Sequence, residues 1–211
     1  MINLKSAELV NIDERFDEAI DKAKKLYLEG NIFIYPTDTI YGFGGNPFND
    51  KAINSISEVK RREHGKSYIM LIGGMEDLLK YVDVTSERHI DFLNSIWPNP
   101  VSVVLKLKPE AKIILNMETA ALRIPNNRFC LKLLSELKMP LISTSVNRRD
   151  EKPMIEYSVI KEEFSSEVDA IFYSAKKSFY EASTLIDLSD SEPALLREGR
   201  IKFKDLMEKY K

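Results

Sequence analysis

Hydroxyl groups and strong cations recur in this chain where short apolar runs begin or stop. "YPTDTIYGFGG" (Tyr35 to Gly45) follows the run "NIFI", "STSVN" (Ser143 to Asn147) follows Leu141-Ile142, and "STLID" begins at Ser183. Lys60, Arg61, Arg62, Lys66, Arg123 and Arg197 are spread between them. Hydroxyls and bare backbone N–H groups bond phosphates, carboxylates and amines. Arginine grips carboxylates and phosphates through a two-pronged fork. Together the two sets suit a small anionic ligand or a nucleotide. Each feature alone also has an ordinary structural use. Ser and Thr cap helices and bond within turns, and Gly42, Gly44 and Gly45 serve a turn or a bulge. Asp38 either accepts a bond from an amine or braces its turn.

The elements that must position these groups follow from periodicity. Phe16, Ile20, Ala23 and Tyr27 recur at helical spacing, with Asp13 as the expected N-cap and Gly30 as the stop. "NIFIYP" reads as a strand. A second helix opens near Asn49 or Asp50, buries Ala52, Ile53, Ile56 and Val59, and ends in the basic run "VKRREHGK". "SYIMLI", "VSVVLKL", "TAALRIP", "PLISTS", "AIFYS", "STLIDL" and "ALLRE" read as strands. "MEDLLKYV", "SERHIDFLNSIW", "NRFCLKLLSELK", "SVIKEEFSSEV" and "FKDLMEKY" read as helices. Strands and helices interleave without a strict βαβ beat, which predicts a mixed sheet with helices packed on it, an α/β or α+β domain. Ligands gather at the strand ends of such sheets, where the hydroxyl-rich segments lie.

Composition bounds the chemistry. The 211 residues are 44% hydrophobic and 30% charged, ordinary for a folded chain. No apolar run approaches membrane-spanning length and no secretory signal opens the chain, so a cytoplasmic protein with no membrane partner is expected. Cys130 is the one cysteine, and His64 and His89 the two histidines, too few for a cysteine or histidine metal cage. A net charge of −2 argues against a strong nonspecific nucleic-acid binder. The glycine pattern of a P-loop and the dinucleotide-binding fingerprint are both missing.

"YPTDTIYGFGG", "KRREHGK", "ALRIP", "STSVN" and "STLIDL…LLREG" stand in an order and spacing that resembles the YrdC-like threonylcarbamoyl-AMP synthases, from about Asp13 to Arg200. The resemblance implies a single YrdC-like domain over residues 1–211, without the C-terminal domain of longer relatives. It also implies a twisted, mostly open mixed sheet with flanking helices and a concave basic groove. The implied reaction joins L-threonine, bicarbonate or CO₂ and ATP, with Mg²⁺ on the nucleotide and no metal site on the protein. It yields threonylcarbamoyl-AMP for threonylcarbamoyladenosine in tRNA, so tRNA or a tRNA-modifying transferase complex is the implied partner. The second reading is a double-stranded RNA or tRNA-binding module, with "VKRREHGK" and "NRRDEK" touching phosphates.

The resemblance also implies roles. The family's Lys-x-Arg and Ser-x-Asn signature falls on Lys60, Arg62, Ser145 and Asn147, the expected catalytic set. Thr39, Arg123, Ser143 and Ser183 would bind threonine, Arg123 through its carboxylate. Arg62, Lys66, Thr119, Ser145, Asn147 and Arg197 would bind the nucleotide. Leu71 stands where many members have a histidine, and Arg148-Arg149 where Ser-Gly is usual.

Overall fold

The structure, a computed structural model, describes residues 6–62, 68–175 and 181–210. In chain order the first elements are β1 (Glu8–Asn11), α1 (Phe16–Leu28), β2 (Phe33–Tyr35), β3 (Gly42–Gly44), α2 (Asp50–Val59) and β4 (Ile69–Leu71). Next come α3 (Met75–Leu78), α4 (Glu87–Ile96), β5 (Val101–Lys106), α5 (Pro109–Leu115), β6 (Thr119–Arg123) and α6 (Arg128–Leu137). The last are β7 (Leu141–Ser145), α7 (Tyr157–Phe164), β8 (Ala170–Tyr173), β9 (Thr184–Asp187), β10 (Ala194–Arg197) and α8 (Phe203–Lys209). This is the expected mixed α/β class. Among the described residues no helix is long and apolar enough to cross a membrane.

The chain divides into two compact units, Met1–Lys66 with Leu141–Tyr180 and Ser67–Pro140 with Glu181–Lys211. In the first, the strand order is β1-β8-β2-β3-β7. β8 runs parallel to β1 and β2, and β3 runs antiparallel to β2 and β7. The register Tyr35↔Gly42 and Gly42↔Ser145 has a direct consequence. The end of β2, the start of β3 and the end of β7 share one edge, so the Thr37–Thr39 turn and the Ser145–Asn147 segment leave the sheet side by side. In the second unit the order is β4-β6-β5-β9-β10. β4 is parallel to β6 and β5 to β9, while β5–β6 and β9–β10 are antiparallel. Leu71↔Arg123 and Val101↔Thr184 put Arg123, Ser102, Ser183 and Arg197 at one end of that sheet.

Each core is apolar in the way the periodicity predicts. Ala19, Ile20, Ala23, Leu26 and Tyr27 form the buried stripe of α1, and Ala52, Ile56 and Val59 that of α2. The second unit packs Phe92, Leu93, Ile96, Val103, Leu105, Leu122, Ile186 and Leu206 together.

Four elements depart from the sequence reading. β1 and β3 are strands too short to show an alternation, and β3 carries glycine at both ends. α5 opens on Pro109 and leaves Ile113 81% and Ile114 63% exposed, so no buried stripe announces it. Asp13 does not cap α1. The N-cap is Arg15, with no side-chain cap bond, and the Asp13 carboxylate instead accepts from the Ser174 hydroxyl (2.8 Å) and the Ala175 N–H (2.9 Å).

Candidate functional site

The first unit gathers Lys60, Ser145 and Asn147 into one bonded cluster. Lys60 is the C-cap residue of α2 and is only 4% exposed. Its ammonium donates to the Ser145 carbonyl (2.5 Å), the Asn147 carbonyl (3.1 Å) and Asn147 Oδ1 (2.9 Å). An ammonium has three protons, and all three are engaged here. Asn147 Oδ1 also accepts from the Ser145 hydroxyl (2.6 Å), and Asn147 Nδ2 donates to the Arg148 carbonyl (2.9 Å) and the Glu151 carbonyl (2.8 Å). Burial, and then the charge of Arg62, push the Lys60 ammonium down to about 7. Lys60 therefore ties the end of α2 to the end of β7 and to the segment that follows it.

The neighbouring turn is braced by its own hydroxyls. Thr37 Oγ1 accepts from the Thr39 N–H (3.0 Å), donates to the Ile40 carbonyl (2.7 Å) and lies 2.9 Å from Thr39 Oγ1. Thr37, Asp38, Thr39 and Ser143 are all nearly buried. The glycines that follow answer mostly to packing. A Cβ on Gly44 would meet Phe33 Cε2 at 2.5 Å and Tyr35 Cε1 at 2.8 Å, so the missing side chain makes room for two rings of the core.

In the second unit Arg123 is 3% exposed at the end of β6. Arg197 Nη2 donates to the Ser183 carbonyl (2.9 Å) and lies 3.4 Å from the Ser183 hydroxyl, which in turn is 2.9 Å from the Ser102 hydroxyl. Desolvation and the charge of Arg123 lower the Arg197 guanidinium from its ordinary value. Guanidinium donors beside a hydroxyl pair have the chemistry to bind an anion. Ser102 was not singled out in the sequence. Its signal was a lone hydroxyl inside "VSVVLKL", a strand buried for most of its length.

Four further positions singled out by the sequence stand as follows. Thr119 starts β6 opposite Lys106, whereas Arg123 ends it opposite Leu71. At ~3.3 Å per residue the two lie roughly 13 Å apart along the strand, so Thr119 stands away from the Arg123–Arg197–Ser183 group. Arg148, which the RNA-binding reading would place on a phosphate, is 5% exposed and held by Glu163 and Glu167. Lys66 lies outside the described residues. Leu71 is fully buried, so its side chain belongs to the core.

Mixed parallel and antiparallel strands, with hydroxyls and cations at their ends, run through both units of this α/β protein. The sequence profile of the Sua5/YciO/YrdC family, described by the words "telomere recombination", matches residues 25–199, and the chain belongs to this family. A double variant of P. abyssi Sua5 is similar at 26% identity and a TM-score of 0.86, over 96% of this chain and 63% of that one. P. abyssi Sua5 complexed with L-threonine is similar at 25% identity and 0.84, over 97% and 60%. E. coli YciO shares the fold, at 22% identity and 0.83, over 96% and 99%. The chain thus spans only 60 to 63% of the length of the Sua5 chains.

Proposed function

We propose that this chain is a threonylcarbamoyl-AMP synthase, a nucleotidyltransferase that forms threonylcarbamoyl-AMP and pyrophosphate from L-threonine, bicarbonate or CO₂, and ATP. Its product is the activated intermediate for threonylcarbamoyladenosine, passed to tRNA or to a tRNA-modifying transferase complex. Family membership and the L-threonine complex of a similar Sua5 support the reading. The observation that carries it is the Lys60–Ser145–Asn147 cluster, which joins both halves of the family signature through direct hydrogen bonds.

The chemistry asks for no protein nucleophile. The threonine amine adds to the CO₂ carbon, an N–C bond forms and a proton leaves. An oxygen of the resulting carbamate then attacks the α-phosphorus of ATP, the bond from that phosphorus to the bridging oxygen breaks, and pyrophosphate departs. The protein must hold two anions together and offset charge that builds on phosphorus. In this reading the proposed nucleotide-binding residues are Arg62, Lys66, Ser145 and Arg197. Lys60 and Asn147 hold the end of β7 against the end of α2. Arg123 takes the threonine carboxylate, and Thr39, Ser143 and Ser183 bond its remaining polar groups. Alignment of two bound reactants lowers a barrier by up to ~7–11 kcal/mol in well-oriented cases.

Among the described residues no group of three or more His, Cys, Asp or Glu could hold a metal ion. A Mg²⁺ that enters with ATP would be held by phosphate oxygens and would offset charge on the departing pyrophosphate. The test is incorporation of labelled bicarbonate. With ATP, Mg²⁺ and threonine the label should enter an AMP-linked product identified by mass. Label recovered only as free carbonate would remove the assignment.

A further inference from the structure

Arg148 has an environment that is unusual for a loop arginine. Its side chain is 6% exposed. Nε and Nη2 donate to Glu163 Oε1 at 2.9 and 2.7 Å, and Nη2 and Nη1 donate to the two Glu167 oxygens at 2.6 and 3.0 Å. Nη1 also donates to the Val59 carbonyl at 2.5 Å. That carbonyl belongs to the last residue of α2, one of those a helix end leaves without an intrahelical partner, and a cation there also suits the helix dipole. The next residue is Lys60.

The bonds run in both directions. Lys60 Nζ holds the carbonyls of residues 145 and 147, while Arg148 holds the Val59 carbonyl and the Arg149 N–H donates to the Lys60 carbonyl at 2.9 Å. A stacked path runs alongside. The Arg148 guanidinium lies 4.3 Å over the Phe164 ring, Phe164 meets Phe43 edge-on at 5.2 Å, and Lys60 Nζ lies 5.4 Å over Phe43. Each of the two basic side chains thus sits on one ring of an edge-to-face pair. Such contacts gain strength when the cation is desolvated.

We propose that Arg148 is a positioning residue for the site, closing a reciprocal clasp that anchors α7 to the end of α2 and fixes Lys60 against Ser145 and Asn147. Glu163 and Glu167 are the other half of the clasp, because they alone among the described contacts neutralise the buried guanidinium. Its consequence for catalysis rests on the synthase reading. The clasp itself does not.

The test reads Lys60 directly. Wild type and Arg148→Met, which keeps bulk over Phe164 and loses every donor, are treated with a limiting acetylating ester, and each lysine is followed by peptide mass spectrometry. Lys60 should label about tenfold faster in the variant, because local opening now exposes it, while exposed Lys106 keeps its rate. Arg148→Lys should fall between the two. If Arg148→Met does not fold, Glu163→Gln with Glu167→Gln removes the carboxylates instead and should also speed Lys60 labelling. Lys60 labelling at the wild-type rate in a folded variant overturns the clasp. In the same variant, turnover should fall with little change in the KM for threonine. Faster Lys60 labelling in a protein that shows no turnover even as wild type keeps the clasp and removes the synthase reading.

Discussion

Lys60 Nζ donates to Asn147 Oδ1 at 2.9 Å across 87 positions of sequence. This bond places a nearly buried ammonium at the centre of the first unit's site, and its burial has a thermodynamic signature. The folded-state value of about 7 lies below the ordinary 10.5. Between those two limits the unfolded chain binds more protons than the folded one, so stability rises with pH across the window, by at most ~1.4 kcal/mol per pH unit. Below about pH 7 both states are protonated and this contribution is flat. Lys60→Met has no such group. Urea unfolding of the two proteins at several pH values should show wild type gaining on the variant from neutral to alkaline pH. A constant difference would mean that Lys60 keeps its ordinary affinity for the proton.

Arg123 separates the two substrates. Its guanidinium is buried, and under the proposed function it meets the threonine carboxylate. Loss of a charged hydrogen bond costs ~1.5–3 kcal/mol, so Arg123→Ala should raise the KM for threonine by roughly tenfold to a hundredfold. The KM for ATP should change much less. Steady-state kinetics with each substrate varied in turn decides it, and equal rises in both would take Arg123 off the amino acid.

Two glycines should respond differently to alanine. At Gly44 the added methyl meets the Phe33 and Tyr35 rings, both fully buried, and overpacking of that kind costs ~1–3 kcal/mol. The melting temperature should drop by several degrees. At Gly199 the methyl meets backbone, the Ala182 oxygen at 2.5 Å and the Ser183 oxygen at 2.6 Å. The chain must shift there, and Ser183 moves with respect to Arg197. Gly199→Ala should therefore weaken threonine use more than its loss of melting temperature alone would explain. Parallel thermal melts and threonine titrations test both variants.

The hydrophobic spacing made α1, α2 and α6 readable, because each buries a stripe on one face. It missed α5, whose isoleucines point to solvent, and β3, a three-residue strand that glycines open and close. The strand-end hydroxyls were legible as a class, since Ser and Thr in such numbers stand out against apolar runs. Their partners were not. Nothing local shows that Thr37 closes its own turn, or that the Ser183 hydroxyl meets that of Ser102 from another strand. Arg148 is the clearest case. In sequence it belongs to a basic pair, whereas its actual partners lie 15 and 19 residues further on in Glu163 and Glu167. A charge read along the chain carries no record of the carboxylate that folding brings to it.

The most direct measurement is pyrophosphate release with ATP, Mg²⁺ and bicarbonate present, threonine added or withheld, in wild type and Arg62→Ala. The account predicts release that depends on threonine and falls by about tenfold or more in the variant. Release that proceeds equally without threonine, or that Arg62→Ala leaves unchanged, would contradict it.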